Sequence, residues 1–368
     1  MKARRLCAVF CLLFLSALTA STEPKPSGHP GLFPAPNKEG KWGFIDATGR
    51  YRIPPQFDGA NEFSDGVAYI WEWNHWDKKV GIVDTHGTVT WFPPQEYEFT
   101  FHDGLACVQS YGDDKGKYGF IDKTGHLAIS PQFFYAGEFS EGLAWVYVDG
   151  PKARGYGFID KTGKFVIQPQ FTHQPGNFVE GLAKIDLDGK IGFIDRKGSF
   201  RVPAKFQQTD ESFSEGMVAA VPIDGRPRGV YIDIAGEVVF EIPLWKERTG
   251  RQMKQSVTGW QMAAPFSAGL APFMSYNKIG FVDKAGAPVI QPEFRGAKSF
   301  SEGLAPVRII NNTGIYLWGY CDHTGKLVIE PQFLDAEPFE GGLAHVTTVE
   351  GSRLLIDKTG KTIWVLIK

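Results

Sequence analysis

The chain has 368 residues, 41 acidic against 39 basic side chains, a formal charge of −2 and 43% apolar content. That near-balance excludes a protein built to grip nucleic acid or an anionic membrane surface, since both reward clustered Lys and Arg. No window reads as a long amphipathic helix, so helical bundles are excluded as well.

The chain opens on Lys2, Arg4 and Arg5, followed by an apolar run from Leu6 to Leu18 and small residues at Ala17, Thr19, Ala20 and Ser21. This is the layout of a secretory signal peptide over 1–20, with cleavage expected near Ala20. The run is shorter than the roughly 20 residues of a membrane span, so no span is expected after cleavage. An uncleaved N-terminal anchor is the alternative. Cleavage would take three positive charges and move the formal charge from −2 to −5. It would also remove Cys7 and Cys11, leaving Cys107 and Cys321 as small apolar residues too far apart along an extended array to pair. A Pro-rich linker follows over 21–36, with prolines at 24, 26, 30, 34 and 36.

From residue 31 to 368 two phrases alternate. One is Gly157-Phe158-Ile159-Asp160-Lys161-Thr162-Gly163, and the other is Phe139-Ser140-Glu141-Gly142-Leu143-Ala144. The turn aspartates stand at 46, 84, 122, 160, 195, 233, 283, 322 and 357, at intervals of 38, 38, 38, 35, 38, 50, 39 and 35. Such a period marks a modular array in which units stack on their neighbours. Within one unit, Leu143–Val148, Tyr156–Asp160 and Lys164–Ile167 read as three strands of an antiparallel meander. Asp-Lys-Thr-Gly between them is a tight turn, and Gln168-Pro169-Gln170-Phe171 is expected to break the ladder, because Pro cannot donate to it. The aromatics Phe57, Phe133, Phe171, Phe294 and Phe333 are placed to plug the junctions between units. The fold class is therefore all-β: about nine three-stranded units, the first degenerate. An open superhelical stack is expected, with a closed propeller-like ring as the alternative. Thr362 to Ile367 is apolar on both faces, to be covered by the preceding unit or left available to a partner.

Lys41-Trp42-Gly43-Phe44-Ile45-Asp46, followed by Pro54-Pro55-Gln56-Phe57 and Phe63-Ser64-Asp65-Gly66, resembles the WG (KWG) repeat family, common in bacterial exported and surface proteins. The likeness extends over residues 31–368, although Val230 and Leu354 replace the glycine in two units. It implies a β-repeat protein of the envelope or secreted fraction, without a general enzymatic assignment.

Repetition also argues against catalysis, since a catalytic group is needed once. The Asp-Lys-Thr-Gly motif imitates a phosphorylated loop, but a β-turn explains each residue. The recurring acids Asp65, Asp103, Glu141, Glu180, Glu215 and Glu302 form a row of equivalents, better explained by loop hydrogen bonds than by a hydrolase pair. The histidines lack metal-ligand spacing, and no phosphate loop or nucleophile elbow occurs, so neither metal nor cofactor is expected.

Two departures from the repeat hold the candidate binding residues. Tyr69, Trp71 and Trp73 share one face of a strand, Trp76 follows, and two units on Trp145 and Tyr147 occupy the matching face. Elsewhere that face holds Lys184, Asp186, Gln109, Arg308 or Thr347. Flat rings on rigid strands suit stacking on sugar rings or an apolar partner, while packing beneath a neighbouring loop is the competing account. The second departure is the 240–265 insertion, where Arg248 and Arg251 could receive an anionic partner. The expected role is an exported, non-catalytic binding module for protein or glycan. A glycan hydrolase or lyase using Glu72 or Asp77, and a structural spacer, are the alternatives.

Overall fold

A computed structural model describes residues 30–74, 77–92, 99–110, 116–151, 153–223, 229–243, 264–275, 277–311 and 313–367. Every paired strand among them is antiparallel, as in the sequence of unit 4: Leu143–Asp149, Arg154–Asp160 and Phe165–Phe171. Units 1, 5 and 7 are three-stranded, as expected. The others gain a short extra strand against the first, for example Tyr135–Ala136 in unit 4, or Gln208–Thr209 at the end of the strand Phe200–Thr209. The end of the Pro-rich stretch, Phe33–Pro36, is itself the first strand of unit 1, pairing with Trp42–Ile45.

The third strand corrects an expectation. It does not stop before Gln168-Pro169; it continues to Phe171, with a register shift between the Tyr156↔Phe171 and Phe158↔Ile167 pairs. That irregularity explains the family glycine. A Cβ on Gly157 would lie 2.6 Å from the Ile167 carbonyl oxygen and 2.8 Å from the Pro169 nitrogen. Gly43, Gly119, Gly192, Gly280 and Gly319 face the same obstruction. The two units that replace the glycine lack the proline two residues after the bulge and pair without that obstruction: Val230 faces Glu241 and Leu354 faces Val365. The glycine thus answers to the backbone of the bulge, where most units place a proline and unit 5 places Ala204.

Both faces of each unit are apolar, and each seam between neighbours holds a core. The plug aromatics Phe57, Phe133, Phe171, Phe294 and Phe333 are all buried in these seams. Nine units in an open stack would make eight seams, but nine clusters are present among the described residues. The ninth joins Phe33, Ala35 and Ile45 of unit 1 to Leu343 and Leu355 of unit 9, with Ile363, Trp364 and Leu366 packed against it. Tyr51 meets Trp364 edge-on at 5.3 Å, and His345 lies 3.1 Å from Glu62. The array is a closed ring, not the open stack favoured from the sequence. Among the described residues the two ends share no strand; apolar packing closes the circle, with Ile363, Trp364 and Leu366 of the last strand against the first unit and Val365 left exposed.

One rim of the ring carries a repeated clasp. The acid of the second phrase sits at positive φ, from 51° to 54° in six units, and accepts a hydrogen bond from the glycine amide of the next unit. Glu141 takes that of Gly181 at 2.9 Å, and Glu180 that of Gly216 at 2.8 Å. Asp65, Asp103, Glu215 and Glu302 do the same. Beside it, the serine hydroxyl donates across the seam, Ser140 to the Phe178 carbonyl at 2.6 Å. Lys123, Arg196, Lys284 and Lys358 reach back to the acid residue of the preceding unit. The left-handed backbone costs about 1 kcal/mol per residue for a non-glycine, so the inter-unit bond offsets a real local strain. Pro30, Ala268 and Gly341 hold the acid's place in units 1, 7 and 9, so those seams lack the acid–glycine bond; the unit 7–8 seam keeps the serine bond, Ser267 to the Phe300 carbonyl at 2.6 Å.

The turn aspartates are structural too. Asp160 accepts from the Thr162 hydroxyl, the Thr162 amide and the Lys164 amide. These bonds, the hydroxyl first, hold its carboxyl below the usual range. Cys107 and Cys321 are free thiols, each pushed up to about 12 by burial.

Candidate ligand-binding rim

The hairpins joining first and second strands all open at the end of the units opposite the clasps. In unit 4 the Asp149↔Arg154 pair lies at this end and Leu143↔Asp160 at the clasp end. Here the units stop resembling one another. Of the exposed aromatics among the described residues, Trp73, Phe134, Tyr135 and Tyr316 stand at the hairpin end and Phe200 near the turn aspartates.

Unit 2 divides the expected aromatic face. Tyr69 is only 3% exposed and packs edge-to-face on Phe99 at 5.2 Å, inside the seam with unit 3. Packing is therefore its role, because each unit buries both faces and Tyr69 lies deep on one of them. Trp71 is half-buried and lies flat on Gly59, where a Cβ would fall 1.8 Å from its ring. The Lys78 ammonium sits 4.8 Å above it. Trp73 is 61% exposed. Asp58 fixes its backbone, accepting from the Trp73 amide and the Lys41 ammonium at 2.7 Å each. The Lys41 bond, followed by the Trp73 amide, holds the Asp58 carboxyl below its ordinary value. Glu72 stands opposite Lys79 and Asp77 opposite Asn74 on the same hairpin. Trp76 lies outside the described residues, as do Arg248 and Arg251 within 244–263.

In unit 4 the structure brings Trp145 and Tyr147 into a larger group. The cross-strand triad Tyr135↔Tyr147↔Tyr156 places three phenol rings side by side. Tyr135 to Tyr147 is 6.0 Å and Tyr147 to Tyr156 is 4.8 Å between ring centroids. Trp145 extends the row at 5.9 Å from Tyr156, its indole over Gly137, and Tyr118 of unit 3 joins at 6.3 Å from Tyr135. Phe134 flanks Tyr147 at 6.5 Å beneath the Lys117 ammonium. The Arg154 Nε donates to the Tyr147 hydroxyl at 3.4 Å and lies 3.4 Å from Asp149. Tyr135 and Phe134 are 56% and 40% exposed. Burial, and then the neighbouring phenols, raise the Tyr156 hydroxyl above its ordinary value.

Sequence reasoning missed Phe134, Tyr135, Tyr118 and Tyr156. The available signal was Phe133-Phe134-Tyr135, where no other plug named here is followed by an aromatic: Asp58-Gly59, Thr172-His173, Arg295-Gly296 and Leu334-Asp335 stand in its place. Unit 8 holds a further missed group: the Arg308 guanidinium lies 5.2 Å from Tyr316 and 5.5 Å from Trp318. Lys298 lies over the same Trp318 at 5.3 Å and pairs with Glu337 at 2.9 Å.

Fold and rim together define a β-repeat protein closed into a ring. The WG containing repeat family matches at 42–70, 118–150, 156–190, 191–226, 279–313 and 318–347, more than half of the chain. The chain belongs to this family. No curated protein matches it. Among solved structures it is similar to BamB from Moraxella catarrhalis, at 12% identity and TM-score 0.43, over 81% of this chain and 95% of that one. It is similar also to the tricorn protease (12%, TM-score 0.25, 91% and 39%) and to KlHsv2 with loop 6CD replaced by a Gly-Ser linker (10%, TM-score 0.35, 70% and 94%). Resemblances this loose carry no argument about what the ring binds.

Proposed function

We propose that this ring is an exported, non-catalytic binding module of the cell envelope or secreted fraction, whose hairpin rim contacts protein or glycan. The observation that supports it is the segregation of the side chains. The clasp rim is occupied by repeated bonds between units, whereas the hairpin rim carries aromatics that closure of the ring does not require. Exposed aromatics held on paired strands offer large contact area at small entropy cost. Export rests on the basic and apolar pattern of residues 1–20, which lie outside the described residues.

Two measurements test the reading. The purified chain should bind peptidoglycan or one member of a polysaccharide panel saturably, and a folded Trp71→Ala/Trp73→Ala or Tyr135→Ala/Tyr147→Ala variant should lose that binding. Retention by both variants would refute the rim. N-terminal sequencing of protein recovered outside the cytoplasm should begin near Ser21; an intact Met1 confined to the cytoplasm would refute export.

A further inference from the structure

Among the rim groups, the unit 4 row is the most developed. It runs Tyr118, Tyr135, Tyr147, Tyr156, Trp145, with successive centroids 6.3, 6.0, 4.8 and 5.9 Å apart. Successive planes turn by 37°, 47°, 52° and 66°, so the row is a twisting ledge and not a set of parallel clefts. We propose that this ledge binds a linear polysaccharide carrying carboxylates, its sugar faces stacking on the rings and its acid groups meeting Lys117 and Arg154. The proposal rests on the hairpin rim being a binding surface and names its ligand class.

Three features favour this occupant. Four of the five rings are tyrosines, each with an apolar face and a hydroxyl edge. A sugar chain presents the same alternation of C–H faces and hydroxyls, so both halves of each side chain find a counterpart. The ring spacing is comparable to one sugar unit along a chain, so adjacent residues of one polymer could engage adjacent rings. The cations sit at the ledge, Lys117 over Phe134 and Arg154 beside the Tyr147 hydroxyl, and among the described residues Asp149 is the one acid paired with either of them. On a chain with an acidic excess, that local surplus complements a polyanion. A proline-rich peptide also docks on aromatics, but into grooves between them, and it calls for no cation.

The test is calorimetric titration of the full chain with polygalacturonate, cellohexaose and decaproline. Three variants accompany it: Tyr135→Ala/Tyr147→Ala, Lys117→Gln/Arg154→Gln and Trp71→Ala/Trp73→Ala, each checked for an unchanged circular dichroism spectrum. Polygalacturonate should bind saturably, and the tyrosine pair should weaken it by about tenfold or more, as loss of two stacking rings requires. Replacing the cations should weaken polygalacturonate and leave any cellohexaose binding nearly unchanged. Tighter binding of decaproline, or no binding of polygalacturonate, overturns the proposal. Loss confined to the Trp71→Ala/Trp73→Ala variant overturns the ledge but leaves the rim as a binding surface. Equal binding by all three variants overturns both.

Discussion

The two rims of the ring are made from the same repeat and have opposite character. At the clasp rim, an acid in left-handed backbone, a glycine amide and in several seams a lysine or arginine recur from unit to unit. At the hairpin rim, the matching places hold tryptophan and tyrosine in units 2 and 4, lysine and aspartate in unit 5, and arginine beside tyrosine in unit 8. The difference shows where architecture ends. Contacts between units repeat one chemistry, an apolar core at all nine seams and the acid–glycine bond at six, whereas among the described residues the hairpin ends show no bond between units that recurs in this way. Variation is tolerated there, and recognition can be built on it.

The largest blow to this comparison should come from a seam aromatic. Phe178 is fully buried between units 4 and 5, and Phe178→Ala should cost about 3–5 kcal/mol, read as a fall in the denaturation midpoint. An effect below 1 kcal/mol would mean that the seams do not carry the stability.

A polar seam sharpens the point through pH. Burial pushes the Asp210 carboxyl up to about 7, against the opposing pull of Lys184. Its Oδ2 is buried without a hydrogen-bond partner. The folded form therefore keeps the proton while the unfolded chain releases it near 4. Stability from this group is highest below pH 4, falls between 4 and 7, and is level above 7. Asp210→Asn should remove that slope and raise stability at pH 8 by about 2 kcal/mol. A loss of stability at pH 8 would show instead that the carboxylate is charged and paired with Lys184.

The clasp itself should matter less. Glu141→Ala loses the bond to Gly181 while keeping the strained backbone, and should cost about 1–2 kcal/mol. Glu141→Gly loses the same bond but relieves the strain, so it should be milder; equal costs would show that φ is not the burden inferred here. The smallest stability effect belongs to the hairpin rim. Trp73→Ser should change stability by less than about 0.5 kcal/mol, because the ring is exposed and only the backbone amide is engaged. A larger loss would make Trp73 part of the architecture.

Local chemistry was legible in the sequence wherever a residue answers to its neighbours in the chain. The turn aspartates, the strand pairs and the plug aromatics all stand where their spacing placed them, because turn geometry and strand alternation are properties of a few consecutive residues. The recurring acids were readable as loop hydrogen-bonders, but their partner, a glycine about 40 residues away, was not. The fit of the glycine to the bulge also escaped notice, since the two lie on different strands. For the site, Trp145 and Tyr147 could be singled out as departures from the repeat, and Trp73 as well. That Tyr69 is sealed in a seam while Tyr135 is exposed beside Tyr147 depends on which unit lies against which face. Residue pattern alone is enough to specify an all-β chain of nine repeated units. That they close is not written in any one repeat, because closure depends on the small rotation accumulated at every seam until Phe33 and Ile45 meet Leu343 and Leu355.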